Sequence, residues 1–108
     1  MTPDEILKEI RDTRLELLRG PSALEELELA AERAEDKAQL EFDKVLMTAE
    51  GSIPEKQAQA RLGSAVSRDA AFIARASYNR AKAKVRALES ALVSLQSQLR
   101  WVRDETGS

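Results

Sequence analysis

The chain has 108 residues, of which 33% are charged and 43% apolar, with four aromatic side chains and neither histidine nor cysteine. That length fits one small domain. Without imidazole or thiol the chain cannot by itself build a Cys/His zinc site, a Ser-His-Asp or Cys-His nucleophile, a thiol redox centre or a disulfide framework, so most enzyme chemistry is excluded and nothing calls for a cofactor or a metal. The formal charge of −2 conceals a split: residues 1–50 hold 14 acidic and 7 basic side chains, residues 51–108 hold 5 and 10. Such asymmetry points to halves that pair with each other, or to one half that meets a polyanion. No apolar run reaches the roughly 18 residues that span a bilayer, and Met1-Thr2-Pro3-Asp4-Glu5 lacks the basic and apolar regions of a signal peptide. A soluble chain in the cytoplasm is expected, without a membrane partner.

Three places carry the same helix-start signature. In Thr2-Pro3-Asp4-Glu5, Ser22-Ala23-Leu24-Glu25 and Ser52-Ile53-Pro54-Glu55, a hydroxyl can accept from the backbone N–H three residues on, and the glutamate there can reach back to the cap. Pro3 and Pro54 fall in the first turn, where a missing N–H costs nothing, and Pro21 falls just before the second cap. Gly20 and Gly51 precede the second and third starts, as residues that end helices in the left-handed conformation do. The expected elements are therefore helices near 3–19, 22–50 and 53–104, with Gly63 the weak point of the last. β-branched residues are sparse and no segment alternates as a strand does. The expected class is all-α, a long antiparallel helical hairpin with a short N-terminal helix, in a single domain spanning 1–108.

In the second predicted helix Leu24, Leu27, Ala31, Ala34, Ala38, Val45 and Ala49 keep a heptad frame, interrupted where Glu41 stands at an apolar place beside Phe42. In the third, Ala71, Ala74, Tyr78, Ala81, Val85, Leu88, Leu92, Leu95, Leu99 and Val102 keep it throughout. Both are coiled-coil seams. The tight connection at Gly51-Ser52 would place residue i opposite roughly 103 − i, pairing Arg68 with Glu35 and Arg75 with Glu28. The row Arg61, Arg68, Arg75 and Lys82 then serves chiefly to set register through ion pairs. On that alignment the second helix runs out before the leucine-rich end of the third. Val85, Leu88, Leu92, Leu95, Leu99, Trp101 and Val102 must pack on the first helix through Ile6, Leu7, Ile10, Leu17 and Leu18, on other copies of the chain, or on both. A short first helix covers that face poorly, so these seven residues are the expected interface of a homo-oligomer.

Two features bear on chemistry. Glu28, Glu32 and Glu35 share a helix face, an arrangement that holds Mg²⁺ in some all-α nucleotide pyrophosphatases, but a glutamate face opposite arginines is usually solvated or ion-paired. The stretch from Arg75 to Arg86 carries Arg75, Arg80, Lys82, Lys84 and Arg86 and no acid. The last four lie where the acidic helix has ended. Residues 80 and 84 share one face and 82 and 86 another, so the cations form a collar suited to a phosphate backbone. Tyr78 could stack on a base, although its seam position favours a core role.

The turn Ala49-Glu50-Gly51-Ser52-Ile53-Pro54-Glu55-Lys56, the long basic helix after it and the ending from Leu88 to Trp101 resemble small helical-hairpin proteins of phage recombination regions and, more distantly, the T4-type recombination mediator (UvsY-like) family. The resemblance covers roughly residues 25–103 in pattern, and the acidic first half falls outside what it explains. It implies a ring-like oligomer that binds single-stranded DNA and helps a recombinase displace single-strand-binding protein. It implies Arg68, Arg75, Arg80, Lys82, Lys84 and Arg86 as the DNA contacts and the host cytoplasm as the location. The competing expectation is a coiled-coil scaffold or inhibitor that captures another protein's helix without nucleic acid.

Overall fold

The computed structural model describes residues 1–105. Among these the chain is all-α: α1 spans Pro3–Thr48, α2 Ile53–Gly63 and α3 Ala65–Glu105. Among the described residues, Met1–Leu24 with residues 80–105 make one compact unit, and Glu25–Asn79 make a second. Within each, α1 runs antiparallel to its partner: Ile6 lies beside Val102 and Gly20 beside Val85 in the first, Val45 beside Gly63 and Glu35 beside Arg75 in the second. The hairpin-like all-α class expected from the sequence is therefore present, although the short N-terminal helix is not a separate element.

The expected break at residues 20–21 is absent, and Pro21 lies inside α1. A proline in a helix interior removes the N–H that would reach the carbonyl of Leu17 and costs about 3 kcal/mol. Packing on either side overrides that cost. The seam frame passes through the joint without a slip, as Ile6, Ile10, Thr13, Leu17, Gly20, Leu24, Leu27 and Ala31, all buried or half-buried, while Pro21 sits on the exposed side. Gly20 is itself a seam residue, and a Cβ there would stand 3.2 Å from a Val85 methyl. It permits a close approach where a helix end was expected.

The other two start signals are realised. Glu5 N–H donates to Thr2 Oγ1 at 3.2 Å while Thr2 N–H donates to Glu5 Oε2 at 3.4 Å, and Glu55 N–H donates to Ser52 Oγ at 3.4 Å. Between α1 and α2, Gly51 has φ of +115°, a conformation that only glycine adopts without strain. The weakness expected at Gly63 also appears, since α2 ends there and α3 begins at Ala65. Ser64 at the joint is fully buried, and its hydroxyl donates to the Ala60 carbonyl at 2.7 Å. A Cβ on Gly63 would come 2.7 Å from a Val45 methyl, so this joint, like that at Gly20, is a place of close helix approach.

The two seams differ in substance. The first unit buries a cluster of Ile6, Ile10, Leu95 and Leu99, flanked by Leu92 and Val102. Of the residues expected at an oligomer interface, Leu95 and Leu99 are covered by the continuous α1 within one chain, while Val85 and Leu88 are half-buried in the same seam. Of the first helix's expected contacts, Ile6 and Ile10 are buried and Leu17 is half-buried, whereas Leu7 and Leu18 are exposed. Only Trp101, at 64%, stays largely exposed among the seven residues assigned to an oligomer interface. The second unit buries small residues instead: Ala31, Ala38, Ala60, Ser64, Ser67 and Ala71. Glu41 stands half-buried in this seam and accepts a hydrogen bond from Ser67 Oγ.

Candidate nucleic-acid interface

The six basic residues assigned to DNA contact separate into two groups. Arg75 and Arg68 are engaged inside the second unit. Arg75 Nη2 donates to Glu35 Oε1 at 2.5 Å and its Nε to Glu35 Oε2 at 3.2 Å, while its guanidinium carbon lies 5.5 Å from the centroid of the Tyr78 ring. The bidentate bond holds the Glu35 carboxyl below its ordinary value, partly opposed by desolvation. It raises Arg75, with further support from the charges of Glu28 and Glu32. Arg68 Nη2 donates to the backbone carbonyl of Arg61 at 2.7 Å, a basic side chain satisfying an acceptor in the last turn of α2.

The expected pairs Arg68–Glu35 and Arg75–Glu28 are therefore replaced by one, Arg75–Glu35. Within the second unit the alignment is about five residues from the expected one, as Val45 against Gly63 and Glu41 against Ser67 show, and it places Glu35 between the levels of Arg68 and Arg75. With Arg68 turned to the Arg61 carbonyl, Glu35 takes Arg75. The physical reason lies partly in Glu41: a half-buried carboxylate needs a donor, and this alignment supplies the Ser67 hydroxyl. Of the glutamate face considered for metal, Glu35 is held by Arg75, while Glu28 and Glu32 are exposed.

Arg80, Lys82, Lys84 and Arg86 are all exposed, on the part of α3 that belongs to the first unit. Beside Lys84, α1 presents Gly20-Pro21-Ser22-Ala23-Leu24, a stretch without a charged side chain. The helices meet here around a cleft of about 570 Å³ whose lining includes Gly20, Ala23, Leu24, Ala81 and Val85, with Lys84 and Arg19 as its cations and Glu16 as its acid. None of Arg19, Arg80, Lys84 and Arg86 forms an ion pair among the described residues. Arg19 was not among the expected contacts. The antiparallel alignment would have pointed to it had α1 been read as one helix through Pro21.

Trp101 and Lys84 fall on the same side of α3 by heptad position, and Trp101 borders a shallow cleft with Met1, Ile6 and Gln98. It is the exposed aromatic of the first unit, whereas Tyr78 is half-buried against Arg75. No helix among the described residues is long and apolar enough to cross a membrane. Comparison with known families, with curated proteins and with solved structures finds no match to this chain.

Proposed function

We propose that the protein is a non-enzymatic, single-stranded-DNA-binding accessory of phage recombination or replication, whose collar of Arg80, Lys82, Lys84 and Arg86, joined by Arg19, holds the phosphate backbone. The observation that carries this reading is the exposed cluster of cations beside the uncharged stretch Gly20–Leu24. Arg19, Arg80, Lys84 and Arg86, which form no ion pair among the described residues, keep their counterions in solution and release them to a polyanion, which is the main source of non-specific nucleic-acid affinity. Trp101 offers a flat apolar surface for a base. Arg68 and Arg75, engaged within the fold, serve register rather than DNA. The place in recombination, with a recombinase or single-strand-binding protein as further partner, rests on the hairpin's resemblance to mediator proteins. The rival reading, a coiled-coil scaffold, is favoured by one observation, the exposed apolar residues Val66, Phe72 and Ile73 on the outer side of α3.

Titration of a labelled single-stranded oligonucleotide, read by fluorescence anisotropy, separates the two. Binding should be measurable at about 50 mM salt and should weaken steeply toward about 200 mM. Replacing Arg19, Lys84 and Arg86 with glutamine should lower the slope of log affinity against log salt by about 2, near 0.7 for each lost phosphate contact. No binding at the lower salt removes the nucleic-acid reading and leaves the scaffold.

A further inference from the structure

Outside its seam, α3 carries a second stripe at the same alternating three- and four-residue spacing: Val66, Asp69, Ile73, Ala76, Arg80 and Ala83. These positions lie on the side turned away from the seam. Val66 is 84% exposed and Ile73 63%, with Phe72 beside them at 76%. Neither Asp69 nor Arg80 has an ion-pair partner among the described residues. The outward side of α1 also exposes Leu29, Leu40 and Met47, but there they are interspersed with the charges of Glu26, Arg33, Asp36 and Asp43. A helix apolar on opposite faces is normally covered on both.

The order of residues in the stripe indicates what covers it. Bulky side chains and the acid occupy its first half; alanines and the base occupy its second. When two copies of α3 cross antiparallel about a two-fold axis passing between Ala74 and Arg75, Val66 of one copy meets Ala83 of the other, Ile73 meets Ala76, and Asp69 meets Arg80. Each branched side chain then faces an alanine, which lets the helices approach closely, and each unpaired charge faces its opposite. Leu62 of α2 and Ala87 extend the same series by one layer. Beside the stripe, Phe72 falls near Asn79 and Ala70 near Ser77, so no like charges are brought together. The contact is isologous and closes at two copies.

We infer that the outer face of α3 is the interface of an antiparallel homodimer, centred between Ala74 and Arg75 and locked by reciprocal Asp69–Arg80 pairs. The dimer takes Arg80 out of the cationic collar and leaves Lys84 and Arg86, which lie off the stripe, free to meet a phosphate backbone on either copy.

The chain lacks cysteine, so crosslinking can read the register directly. Positions 66 and 83 are about 25 Å apart along one helix, too far for a bond within a chain. Oxidation of the V66C/A83C double variant should therefore yield a covalent dimer, and V66C alone should not. Light scattering on the unmodified chain at micromolar concentration should show a dimer, and Ile73→Asp should show a monomer of unchanged helical circular dichroism. Asp69→Arg or Arg80→Asp should each weaken association at least tenfold, and D69R/R80D together should restore it. A monomeric wild-type chain overturns the proposal, as does a dimer that crosslinks through V66C alone or is indifferent to both charge reversals. Oligonucleotide binding that survives any of these results leaves the nucleic-acid reading standing.

Discussion

The two units use the same heptad geometry to opposite ends. In the first, Ile6, Ile10, Leu95 and Leu99 bury branched side chains, and stability comes from apolar surface removed from water. In the second, Ala31, Ala38, Ala60, Ser64, Ser67 and Ala71 bring the helices close, and polar groups in and beside the seam find partners: Ser67 with Glu41, Ser64 with the Ala60 carbonyl, Arg75 with Glu35. The first unit is held by bulk and the second by fit. The Arg75–Glu35 ion pair belongs to this second unit, whose alignment follows where a carboxylate can find a donor.

The strongest way to break the comparison is to remove bulk from the first unit. Leu95→Ala deletes most of a side chain that is 8% exposed and should cost about 2–5 kcal/mol, seen as a lower denaturant midpoint; a loss well under 1 kcal/mol would mean that the cluster does not hold this unit. Next in size, Pro21→Ala restores a helical N–H for the Leu17 carbonyl and should raise stability by about 1–3 kcal/mol in the same measurement. No gain would show that α1 is already relaxed around the joint.

The smallest effect belongs to the second unit. The Glu35 carboxyl is depressed by Arg75, so its contribution is present above the ordinary carboxylate value of 4.5 and is lost as pH falls through the depressed value. Arg75 is raised further above an already high value and adds no dependence in the accessible range. Melting temperature measured against pH should therefore fall more steeply on the acid side for the wild type than for Glu35→Gln. Parallel curves would show that the bridge contributes nothing. The effect should be slight, because both side chains are substantially exposed and the pair is screened by solvent.

Much of this fold was legible in the residues. The caps at Thr2 and Ser52, the turn at Gly51, the weak point at Gly63 and the spacing of both seams follow from local geometry, and each is present. The collar at 80–86 was visible as a run of cations without acids, and its four basic side chains are exposed. Gly20-Pro21-Ser22 misled, because the same residues that end one helix and cap the next can also sit inside a helix whose flanks are packed. Ser22 and Glu25 form a capping signature with no cap to form. The clue that outweighed it was the heptad frame itself, which continues from Leu17 through Gly20 to Leu24 without a slip.

The sequence by itself determined that the chain is all-α, where its seams lie, which residues are small or bulky along them, and that His- or Cys-based chemistry is outside its reach. Tertiary structure decided three things. It made α1 continuous, because apolar contacts on both sides of Pro21 outweigh one missing hydrogen bond. It set the alignment of the helices, because Glu41 needs a donor and Gly20 and Gly63 leave room for valine methyls. It also decided which apolar residues remain uncovered: Leu95 and Leu99 turned inward against α1, while Val66, Phe72 and Ile73 stayed outside. Periodicity marks which side chains share a face, but only the packed partner shows which face is already occupied.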